Sequence, residues 1–153
     1  MTTTAEGRRT IQYAIDPGVV SLRGLSPQRL RFELEYALER GSTANSVLFE
    51  AGDGCPAVLV HPPGAAYRDV FLPALDEALG GKIQPLRVVV GHVNPNRVAL
   101  LHALAETGHA LTLVTSNAGA KLLKELWNQR KPVAPGQASA APSIPEIPPL
   151  EVI

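Results

Sequence analysis

The chain has 153 residues, 45% of them hydrophobic, and its fourteen basic and fourteen acidic side chains cancel to a formal net charge of zero. That length and apolar content suit one domain with a buried core, or part of a larger one, and argue against wholesale disorder. The balanced charge supplies neither a field for nucleic acid nor a polybasic patch for a membrane surface.

The opening stretch, MTTTAEGRRT, lacks the apolar centre of a signal peptide, and no apolar run further on is long enough to span a bilayer. TIQYAIDPGVV can hold one strand before an Asp16-Pro17-Gly18 turn. In RFELEYALER, Phe32, Leu34, Tyr36 and Leu38 fall on alternate positions, the period of a strand with one buried face. Arg40-Gly41-Ser42-Thr43 then offers turn chemistry and residues 46–50 a returning strand, so the segment predicts a hairpin. A helix capped by Ser26 is the alternative.

From residue 57 the pattern changes. AVLVH (57–61) is a continuous apolar run, as a strand covered on both faces requires, and Pro62-Pro63-Gly64 ends it. RDVFLPALDEALGG places Val70, Phe71, Ala74, Leu75, Ala78 and Leu79 on one helical face, with Pro73 near the first turn and Gly80-Gly81 as the stop. LRVVVGH (86–92) predicts a second buried strand. A helix follows from about Arg97 to Glu106, with Val98, Leu101, Leu104 and Ala105 inward. LTLVT (111–115) predicts a third strand, and Ser116 or Asn117 can cap a last helix, AGAKLLKELW, ending near Trp127.

Three strand–helix repeats behind a hairpin predict an α/β fold, a mixed sheet whose later strands are parallel, with helices on one face or both. Residues 8–130 form the predicted domain. Residues 131–153 contain six prolines and are expected to be a proline-rich linker or truncated continuation. The chain stops at LEVI, which looks like the start of another element and suggests a fragment.

The order and spacing of RGSTANSVLFE, AVLVHPPGAAYRDVFLPAL, VVVGHVNPNRVALL and TLVTSNAGAKLL, covering roughly residues 30–127, carry a family resemblance. They resemble the metallo-β-lactamase-like domain of flavodiiron proteins, and most of all the diflavin type of oxygenic phototrophs. The resemblance implies one half of an αββα sandwich. It also implies a strand-end loop of pattern His-x-Glu-x-Asp-His, whose imidazoles and carboxylates hold two irons. On that pattern His92 matches the first His, Asn94 stands where Glu is expected, Asn96 where Asp is expected, and Arg97 where the second His is expected. An amide is a weaker, neutral ligand, and a guanidinium has no lone pair to give. The resemblance is therefore to the class with substituted iron ligands, whose members are thought to work beside a partner with intact ones.

In full-length members the resemblance implies diiron, FMN, and electrons passing from reduced nicotinamide, NAD(P)H, through flavin to dioxygen, making water. No cofactor is expected in this chain alone, and catalytic residues are not assigned. Expected partners are related flavodiiron chains in a homo- or hetero-oligomer, with no nucleic acid and no membrane insertion. A non-catalytic scaffold or regulatory module on the same fold is the alternative function.

Blander readings stand beside the metal one. His92 can be a polar strand-end residue hydrogen-bonded to its neighbours. Asn94-Pro95-Asn96 can be a plain turn with a helix N-cap, or a polar site shared with Arg97 for an anion or a carboxylate partner. His61 ends the preceding strand and could reach His92, although Pro62-Pro63 favours a turn. His102 and His109 are expected to be solvated, and Trp127 to pack in the core. The one cysteine, Cys55, cannot make an internal disulfide or a thiolate zinc site, which points to a reducing, cytoplasmic setting. No G-x-G-x-x-G follows a strand, and no G-x-S-x-G elbow exists.

Overall fold

The computed structural model describes residues 3, 7–27, 41–129 and 144–153. The alternating segment 31–38, from which a hairpin is expected, lies outside the described residues. Two strands precede it rather than one: β1 (Arg9–Asp16) and β2 (Val19–Ser26) pair antiparallel across Pro17-Gly18. β2 is not evident in the sequence because Gly24 interrupts its apolar alternation. The gap is filled from outside the strand: a Cβ at Gly24 would lie 2.8 Å from the Tyr67 ring.

β3 (Ser42–Phe49) begins four residues before the expected strand at Ser46, because β2 pairs along its whole length from Ser26↔Ser42 to Val19↔Phe49. β4 (Ala57–Val60) completes the antiparallel part. A single 3-10 turn (Ala65–Tyr67) leads into α1 (Arg68–Ala78), and then come β5 (Pro85–Val89), α2 (Pro95–Ala105), β6 (Ala110–Thr115) and α3 (Asn117–Trp127). Pro73 lies in the second turn of α1, not the first. It is exposed, and having no amide hydrogen it leaves the Asp69 carbonyl without its helical donor. α2 starts at Pro95, two residues before the expected Arg97, since proline is suited to the first helical position.

Among the described residues seven strands form one sheet in sequential order, β4 to β7 parallel. Its last member, β7 (Leu150–Val152), lies within the stretch expected to be linker and bonds to β6. Right-handed crossovers that all advance in one direction place the three helices on one face. Across that face runs a row in register, Val20, Leu48, Leu59, Val88, Leu113 and Leu150. Leu48, Leu59, Val88 and Leu113 are fully buried under Phe71, Leu75, Leu101, Leu104 and Trp127. The opposite face carries a second row, Tyr13, Ser21, Val47, Val60, Val89 and Val114. Near it Phe49 and Ile15 stay partly exposed. Arg87 and Glu151 form an ion pair that ties β5 to β7 across β6.

Candidate functional site

The parallel strands deliver their carboxyl ends to one edge of the sheet, where α/β folds place their ligands. There β4 leads into His61, the loop after β5 carries His92 into α2, and β3 contributes Thr43 and Asn45. Between them lies a cleft of about 320 Å³, lined by Thr43, Ala44, Asn45, His61, Pro63, Gly64, Tyr67, Asn94, Asn96 and Arg97.

Asn94 is the N-cap of α2. Its backbone is extended and its Oδ1 accepts a hydrogen bond from the Arg97 amide at 2.8 Å. Asn96 lies against Gly64 so closely that a Cβ there would be 2.0 Å from Asn96 Nδ2; glycine at 64 lets this amide into the cleft wall. Arg97, in the first turn of α2, is half-buried. Its Nη1 donates to the His92 carbonyl at 2.8 Å, and its Nη2 lies 3.3 Å from His61 Nε2. Guanidinium can only donate, so His61 Nε2 accepts and the imidazole is neutral, its proton on Nδ1. Burial lowers the His61 pKa from its ordinary value, and the charges of Arg97 and His92 lower it further. Burial also draws the Arg97 pKa down, although a guanidinium remains charged throughout the physiological range.

His61 is held in an unusual conformation. Its φ of 58° lies in the left-handed region, which side chains other than glycine seldom enter. Two bonds fix it there: its amide donates to the Val89 carbonyl at 3.0 Å, and its own carbonyl accepts from Ser46 Oγ at 2.8 Å. The strained backbone carries the ring to Arg97.

Of the residues singled out from sequence, Asn94, Asn96 and Arg97 line the cleft together with His61. The His92 side chain is exposed and does not line it; His92 takes part through its carbonyl. Thr43 and Asn45 were not foreseen as site residues, because the sequence presents that segment as a turn. Only the pairing of β3 with β4 brings them to the cleft. The other two histidines are not solvated. His109 is buried, its Nδ1 accepting from the Gln84 amide at 3.3 Å. His102 meets Trp127 edge-on, ring centres 4.4 Å apart. Trp127 packs in the core as expected, 1% exposed, with its indole N–H donating to the Pro145 carbonyl.

No protein-family model matches the chain. It is 46% identical over 99 residues to diflavin flavoprotein A 6 of Nostoc sp., covering 65% of this chain and 17% of that one. It superposes on a metal-soaked Flv1 flavodiiron core from Synechocystis sp. with a TM-score of 0.74 at 28% identity, covering 95% of this chain and 32% of that one. Over most of its length the chain is similar to the flavodiiron cores of diflavin flavoproteins. It spans about a fifth of the length of the curated relatives it matches. The metallo-β-lactamase FIM-1 of Pseudomonas aeruginosa shares the fold at 14% identity, with a TM-score of 0.51 over 77% of this chain and 46% of that one. The mixed sheet with its layer of helices is thus part of a metallo-β-lactamase-like core.

Full-length members of the family imply a diiron centre and FMN. The cleft's donor set does not fit two irons. No group of three or more His, Cys, Asp or Glu side chains that could hold a metal occurs among the described residues. Asn94 Oδ1 already accepts from the Arg97 amide, and His61 Nε2 faces a guanidinium. Two close cations also need carboxylates to offset their charge, and this cleft adds a positive charge instead. Among the described residues no helix is long and apolar enough to cross a membrane.

Proposed function

We propose that this chain is part of a diflavin flavodiiron protein whose iron-ligand positions are substituted, with Asn94, Asn96 and Arg97 standing where Glu, Asp and His hold iron in the complete motif. In the full-length cytoplasmic protein it takes part in nicotinamide-dependent reduction of dioxygen to water, inside a hetero-oligomer with a related chain that keeps its ligands. FMN and the nicotinamide would bind to parts of the full-length protein outside this chain. The observation that carries the reading is Arg97: a guanidinium fixed by the His92 carbonyl and His61 Nε2 occupies the cleft that a metal would need. His92 keeps the residue type of a ligand, without companions.

Metal analysis tests the site. The purified chain is expected to hold well below one iron per molecule, and two per molecule would overturn the substituted-site reading. In the full-length protein, the combined change Asn94→Glu, Asn96→Asp and Arg97→His is expected to raise iron uptake. Oxygen consumption driven by reduced nicotinamide tests the role. Stimulation when the full-length protein is mixed with a related chain supports it, whereas none in any combination selects the scaffold alternative.

A further inference from the structure

We propose that the cleft around Arg97 is a binding site for a small carboxylate. The inference rests on the reading of this cleft as lacking paired irons, and it assigns what takes their place. A half-buried cation is ordinarily matched by an anion, because removing it from water is costly unless a counter-charge is near. Among the described residues Arg97 has no such partner: both of its side-chain contacts are to neutral acceptors, and its Nε is buried without any partner. Among the described residues the lining contains no Asp or Glu. It offers the Asn45 and Asn96 amides and the Thr43 hydroxyl, groups that can donate to an oxyanion. The N-terminal end of α2, an eleven-residue helix, adds its positive dipole end. A volume of about 320 Å³ admits a small anion. Among anions, a planar carboxylate best matches the planar fork of a guanidinium.

A carboxylate could come from free solution or from an acidic side chain elsewhere in a longer protein. Acetate titration of the 153-residue chain, followed through the Arg97 Nε–Hε NMR resonance, tests the shared chemistry. Saturable movement is expected, and Arg97→Gln is expected to weaken acetate binding, read by calorimetry, at least about tenfold, as loss of a charge-assisted contact implies. Arg97→Lys, which keeps the charge but not the fork, is expected to weaken it less. Circular dichroism identifies any variant that has failed to fold, and the wild-type titration decides without variants. The same titration in the full-length protein separates the sources: movement there marks a free anion, and an unmoved resonance marks a side chain already seated on Arg97. No saturable movement in the 153-residue chain overturns the proposal. Iron content measured on the same sample fails or holds independently, so the two readings can be told apart.

Discussion

His102 shows what a single position contributes beyond its type. Half-buried on α2 against Trp127, it has an Nε2 that is shielded from solvent and finds no partner among the described residues. Burial lowers its pKa below the ordinary 6.5, only partly offset by the Trp127 backbone and by the charge of Glu106. In the window below 6.5 the unfolded chain therefore binds a proton that the folded chain refuses, and folding loses stability as pH falls through it. His61 is shifted in the same direction and adds to the effect. Urea midpoints are expected to drop between about pH 7.5 and about pH 5.5. His102→Gln should reduce the drop; an unchanged drop would assign it to other groups. The same positional logic separates Arg97 from the exposed Arg68, whose contact with Glu106 spans 3.9 Å and contributes little.

Among the elements, β2 and the turn before α1 depend on one another. Tyr67 is 1% exposed, its ring lies on Gly24, and its hydroxyl is 3.3 Å from Ser42 Oγ. One buried aromatic thus joins β2, β3 and the start of the first crossover. Gly24→Ala would force a methyl group into the ring at 2.8 Å, and neither strand nor core side chain can retreat freely. The expected cost is about 1–3 kcal/mol by chemical denaturation. A cost near zero would mean that the ring moves aside easily and does not fix β2. At the other end of the sheet, the bond from the Trp127 indole to the Pro145 carbonyl holds α3 to the segment that leads into β7. Prolines 145, 148 and 149 suit that connection, since it runs between elements and needs few amide donors.

The molecule as a whole has two unequal sheet faces. The helix-covered face carries the fully buried row through Leu113, while the other leaves Ile15 57% and Phe49 45% exposed. Leu113→Ala is expected to cost about 2–5 kcal/mol, the range for a buried leucine whose site cannot collapse. Ile15→Ala is expected to cost about 1 kcal/mol or less, because much of that side chain already meets water. Similar costs at the two positions would show that the second face is covered as well as the first.

From residue 57 to 127 the sequence by itself determined most of the elements. Its apolar runs of strand length, its helical stripes, and Ser116 as a cap are local signals, and local backbone physics answers them. The order of those pieces, with His92, Asn94, Asn96 and Arg97 at one strand end, also pointed to the family and to the place of the site. Only the tertiary structure decided the rest. β2 is a strand because β1 and β3 pair with it, and Leu150–Val152 is one because β6 accepts it. The cleft depends on His61 meeting Arg97 across 36 positions of chain, with Asn45 alongside. Periodicity reports which way a side chain faces its own element; what lies opposite depends on distant segments that no local pattern encodes.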